Sequence, residues 1–101
     1  MDEKQQNEVD QQDLHIKGVI EALLFVNEKP VTLEQIRKVL QTVTPGQIKK
    51  IIRSLQDGYE EDKQGITIIE IAGGYQMLSN PIYATYLRSF YKTKHKEKLS
   101  K

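Results

Sequence analysis

Residues 32–55 read TLEQIRKVLQTVTPGQIKKIIRSL, and this stretch decides the fold. Thr32-Leu33-Glu34-Gln35 is a capping box. The threonine hydroxyl and the glutamine side chain each satisfy an amide that the first helical turn leaves unpaired. Leu33, Ile36, Val39 and Leu40 then mark the core side of a short helix. Thr44-Pro45-Gly46-Gln47 repeats the signal in stronger form, with threonine capping, proline at the first helical position and glutamine closing the box. Ile48, Ile51, Ile52, Leu55 and Tyr59 form one stripe of the helix that follows. Only Thr42-Val43-Thr44 separates the two helices, so they read as a helix-turn-helix.

Working toward the N-terminus, Ile16, Val19, Ile20, Leu23 and Leu24 follow the amphipathic template and predict a helix to about Val26, capped by Asp13. Asn27-Glu28-Lys29-Pro30 breaks it, and Pro30-Val31 predicts a short extended segment. Working toward the C-terminus, Gly58 interrupts the third helix, and Glu60, Glu61 and Asp62 stand where its macrodipole disfavours acids. Either the helix frays after Tyr59, the favoured reading, or those acids meet a basic partner. Beyond Gly65 the period becomes two: Ile66 and Ile68 share one strand face, Ile69 and Ile71 the other. Gly73-Gly74 predicts a two-residue hairpin turn, and Tyr75–Leu78 the return strand. Asn80-Pro81 starts a last helix, with Tyr83, Tyr86, Leu87 and Phe90 in phase. Three helices, a hairpin and a fourth helix give a mainly α fold with a small β wing, a winged helix-turn-helix of α+β class.

The chain has 101 residues, enough for one small domain. Residues 1–13 hold five acids against one lysine, whereas residues 92–101 hold five lysines against one glutamate. The first segment reads as a disordered acidic leader, 14–91 as the winged-helix domain, and 92–101 as a basic linker. A formal charge of +1 excludes the globally basic surface of a nucleic-acid coat. With no cysteine, disulfides and thiolate metal sites are excluded, and the chain reads as cytoplasmic. No run spans a membrane. His15 and His95 lie far apart without zinc-ligand spacing. Glu60-Glu61 sits in a polar setting that gives no reason for a raised pKa, and Gly73-Gly74 lacks the lysine of a phosphate loop. The reading is non-enzymatic, without cofactor, metal or small-molecule substrate.

Two binding readings remain. Lys49, Lys50 and Arg53 face away from the apolar stripe of the third helix and are candidate, weak DNA contacts; the Arg53–Asp57 spacing equally suits an intrahelical ion pair. From Ile71 to Ser79 there is no charge, which is unlike a wing that lies on phosphates. A hairpin has two faces and the small core covers one, so Ile69, Ile71, Tyr75, Met77 and Leu78 are candidate interface residues. Tyr91, out of phase with the last helix's stripe, joins them. Association between proteins is favoured over DNA reading. The rivals are a winged-helix transcriptional regulator and a monomeric adaptor that docks a peptide on its wing.

Residues 20–32, IEALLFVNEKPVT, the helix end at Tyr59, and the wing from Ile66 through Ala72-Gly73-Gly74-Tyr75-Gln76-Met77-Leu78 resemble segregation and condensation protein B, over about residues 16 to 92. The resemblance implies the N-terminal winged-helix domain of a non-catalytic subunit of the bacterial condensin complex, at the nucleoid. Its implied partners are a kleisin, segregation and condensation protein A, and the structural-maintenance-of-chromosomes (SMC) ATPase, in chromosome condensation and partition before cell division. It also implies a homodimer through this domain, with a second winged-helix domain carrying much of the kleisin contact. The chain departs from the family where that second domain would begin, at Lys98-Leu99-Ser100-Lys101. A truncated chain is the reading: dimerisation is retained, and the second domain's kleisin contact lies outside.

Overall fold

The computed structural model describes the backbone over residues 2–99 and the side chains over residues 12–96. Helix α1 (Asp2–Val26) leads into strand β1 (Val31–Thr32), α2 (Leu33–Val39) and α3 (Pro45–Glu61). Strands β2 (Ile66–Ile71) and β3 (Gly74–Ser79) form the wing, and a 3-10 turn (Pro81–Tyr83) opens α4 (Ala84–Leu99). The sheet has three antiparallel strands in the order β1-β3-β2. The expected extended segment at Pro30-Val31 is thus a working strand, in which Val31 pairs with Tyr75 and Thr32 with Gly74.

Both capping boxes form. The Gln35 amide donates to Thr32 Oγ1 at 3.1 Å while the Thr32 amide donates to Gln35 Oε1 at 2.9 Å. The Thr44 box matches, with 3.2 Å from the Gln47 amide and 2.9 Å to Gln47 Oε1. With ends and periods fixed locally, the two helices and α1 close on one core. Ile20, Leu24, Ile36, Ile48 and Ile52 are its fully buried centre, and Val31, Val43, Leu55, Tyr59, Ile68 and Tyr75 complete it. Burying each of these five aliphatic side chains contributes roughly 1.5–3 kcal/mol.

Several boundaries differ from the sequence reading. Helix α1 runs back through residues 2–13, past the expected Asp13 cap and through the expected leader. Those residues include neither proline nor glycine and are rich in glutamine and glutamate, so a helical extension meets no obstacle. Helix α3 continues to Glu61 rather than fraying at Tyr59. Tyr59 is buried and its hydroxyl donates to the Glu21 carboxylate of α1, which holds the last turns down. The hairpin turn is Ala72-Gly73, both at positive φ (52° and 76°), one residue earlier than expected. Gly74 is instead a strand residue, kept bare because β1 crosses against it. Val39, expected in the core, is exposed where α2 ends, and Val43 in the turn takes its place. Helix α4 continues through residues 92–99, the expected linker, which contain no helix breaker.

Gln56 of α3 donates from Nε2 to the carbonyl of Ile68 at 2.9 Å. Asn80 anchors the far end of the wing: its amide donates to the Gly65 carbonyl at 2.8 Å and its Nδ2 to the Gln64 carbonyl at 2.9 Å. These contacts fix the wing relative to α3 and so decide which of its faces is free.

Candidate interface

The register of the wing sorts the candidate residues. Partners directly opposite in an antiparallel pair share a face. Ile68 opposes Met77 and Glu70 opposes Tyr75; Thr67 opposes Leu78, Ile69 opposes Gln76 and Ile71 opposes Gly74. Ile68 is buried, so its set faces the core. Tyr75 and Met77 therefore point into the monomer, Tyr75 buried and Met77 packed against the core. This corrects their expected place on an outer face: a period of two puts them in phase with Ile68, not with Leu78. Burial lifts the Tyr75 hydroxyl above the ordinary tyrosine pKa, and the negative charge of Glu70 across the strand adds to the shift.

The opposite face carries Thr67, Ile69, Ile71, Gln76 and Leu78. Ile71 is 46% and Leu78 40% exposed, and Ile69 is half-buried. No cation stands on either wing strand. Three of the six candidates therefore share one solvent-facing apolar surface.

Tyr91 is also exposed, but it is not alone. Ile82, Tyr86 and Phe90 are exposed as well. The stripe that the sequence predicts, Tyr83, Tyr86, Leu87 and Phe90, does not join the core. Instead α4 packs mainly on the 3-10 turn that precedes it, and its apolar arc meets no core. Phe90 and Tyr91 stack edge-to-face at 5.7 Å, and Lys94 Nζ lies 5.7 Å from the Phe90 ring centre. Composition carries the signal. Between Ala84 and Lys96 the arc has one aliphatic residue, Leu87, among three aromatics, whereas the buried stripes of α1, α2 and α3 are almost wholly isoleucine, leucine and valine. Aromatic residues are enriched at interfaces.

Lys49, Lys50 and Arg53 are all exposed on α3. Lys50 faces α1, where it lines a groove with Leu14 and Lys17. Among the described residues no group of three acids or histidines comes together as a metal site, and no helix is long and apolar enough to cross a membrane.

Comparison with known proteins gives these surfaces a setting. The family model of the segregation and condensation complex subunit ScpB matches residues 18–101. Segregation and condensation protein B of Moorella thermoacetica is 35% identical over 72 residues, covering 71% of this chain and 36% of that protein. The protein of the same name from Ruminiclostridium cellulolyticum is 34% identical over 85 residues, covering 84% of this chain and 44% of its own length. The chain thus spans well under half of these curated relatives. Among solved structures, a dimer of the ScpB N-terminal domain complexed with ScpA peptide superposes with a TM-score of 0.67 at 31% identity, over 73% of this chain and 91% of that one. ScpB from Mycobacterium tuberculosis superposes with a TM-score of 0.77 at 20% identity, over 82% of this chain and 51% of that one, a likeness of fold. With 84 consecutive residues matched from Gly18 onward, and elements in winged-helix order, the chain belongs to the ScpB family of segregation and condensation complex subunits.

Proposed function

We propose that this chain is the homodimerising winged-helix unit of a non-catalytic subunit of a bacterial SMC–kleisin complex, acting in the cytoplasm at the nucleoid in chromosome condensation and segregation. The observation that carries the reading is the pair of apolar surfaces that the monomer leaves open, the Ile69-Ile71-Leu78 face and the α4 arc. A domain of this size has no second layer with which to cover them, and a second copy supplies one. The solved N-terminal domain dimer with an ScpA peptide supports both a homodimer and a kleisin partner. Residues 1–13, 14–91 and 92–101 act in this reading as leader, dimerising domain and connection toward a second winged-helix domain. DNA contact by Lys49, Lys50 and Arg53 is at most weak and blind to sequence, because the wing offers phosphates no cation.

Sedimentation equilibrium tests the dimer. A mass of twice the chain is expected at micromolar concentration, reduced toward one chain by Leu78→Glu or Ile71→Glu. A strictly monomeric wild type at hundreds of micromolar would sink the dimer and favour an adaptor or regulator.

A further inference from the structure

An open groove runs along the seam between α1 and α3. Leu14, which is 64% exposed, and the half-buried Ile51 floor one end, where Lys17 and Lys50 stand over them. The Lys17 ammonium reaches across the seam and donates to Ser54 Oγ at 3.0 Å. Toward the other end the lining passes to Gly18 and Gly58 and finishes at Glu21 and Asp62. Among the described residues Asp13 is the one acid at the lysine end.

We infer that this groove seats an amphipathic helix of a partner protein, apolar along the stripe that meets Leu14 and Ile51 and acidic on the flank that meets Lys17 and Lys50. A groove between two helices takes the side-chain ridge of a third. The apolar floor argues against DNA, since a sugar-phosphate strand laid over Leu14 and Ile51 would leave them without apolar partners while taking up two lysines only. Carboxylates on a helix flank match both features, the two ammonium groups giving register and the floor giving affinity. The far end of the groove is bare for the same occupant. A Cβ at Gly18 or Gly58 would meet no atom within 4 Å, so both glycines lie in mid-helix, where they are poor formers, facing open space. The groove shares no residue with the wing face or the α4 arc, so the inference stands apart from the dimer.

The bare glycines make the test clean, because a side chain added there enters the groove without disturbing the core. The probe is a fluorescein-labelled synthetic helix of about five turns, with leucines on one stripe and glutamates flanking it, titrated by anisotropy into the full chain. Binding is expected, weakened about tenfold or more by Gly58→Leu and by the double change Lys17→Glu/Lys50→Glu, with thermal melts confirming that both variants fold. The same peptide with lysine flanks is expected to bind the double variant and not the wild type. The amide signals of Gly18 and Gly58 are expected to shift on addition of peptide, and Leu78→Glu to bind as wild type does. Equal binding of both peptides to the wild type, or no loss in Gly58→Leu, would overturn the inference. So would displacement of the peptide by a short DNA duplex at physiological salt, or glycine shifts that follow protein concentration alone, which would give the groove to nucleic acid or to a second copy.

Discussion

Gly74 of β3 lies directly against the backbone of Val31: a Cβ built on Gly74 would stand 2.7 Å from the Val31 carbonyl oxygen. That spacing admits only hydrogen, so the three-stranded sheet exists because this position has no side chain. Gly74→Ala is expected to cost about 1–3 kcal/mol and to lower Tm by roughly 4–8 °C per kcal/mol. Unchanged melting would mean that β1 gives way freely and contributes little to the fold.

The reverse is expected at Gly58, where an added methyl meets nothing. Gly58→Ala should stabilise α3 by up to about 1 kcal/mol through helix propensity alone. A thermal melt above that of the wild type checks it.

The two capping threonines offer a matched pair. Thr32→Ala and Thr44→Ala should each cost about 1 kcal/mol, and serine at either position should restore most of it. A melt without effect at Thr44 would mean that α3 does not depend on its cap.

Tyr59 couples stability to pH. Burial, and then the hydrogen bond and negative charge of Glu21, hold its hydroxyl well above the ordinary tyrosine pKa. The folded state therefore keeps a proton that the unfolded chain releases near pH 10. Its contribution is fully present below about pH 10 and is lost as pH rises through the folded-state value. Tyr59→Phe should cost about 1 kcal/mol at neutral pH, from the lost hydrogen bond. The gap between the two denaturation curves is expected to narrow above about pH 10, and a constant gap would show that the pair does not govern this window.

On the wing, neighbouring positions should separate folding from assembly. Met77→Glu places a carboxylate against the core and is expected to destabilise the monomer by several kcal/mol. Leu78→Glu faces solvent and should leave the melt of the monomer within about 0.5 kcal/mol while weakening self-association. Circular dichroism read beside sedimentation distinguishes them.

The helix-turn-helix was legible because its signals are local. Capping boxes act within four residues, and the isoleucine stripes of α1 and α3 carry their own period. The wing was legible as an alternation but not in its phase. The expected turn, displaced by one residue, leaves the same residues in phase; whether Met77 or Leu78 faces inward depends on which face of the wing α1 and α3 cover, and Ala72 gives no sign that it will adopt a positive φ. What the α4 arc meets was not legible for a different cause: periodicity reports an amphipathic helix but not whether its partner lies in the same chain. The groove of Leu14, Lys17 and Lys50 escaped notice because it arises only when two helices distant in sequence meet.

The amide of Gln56 on the Ile68 carbonyl has a consequence for how copies of this chain meet. The two-residue turn makes Ile71 and Gly74 a hydrogen-bonded pair, so alternation turns the peptide groups of Ile66, Ile68 and Glu70 toward the outer edge of β2. A free edge of this kind is where sheets extend from molecule to molecule without end. With its middle acceptor already taken, the edge offers an incoming strand an interrupted ladder. Growth by strand addition is checked at that point, which leaves the faces of the wing, rather than its edge, to the proposed two-fold contact.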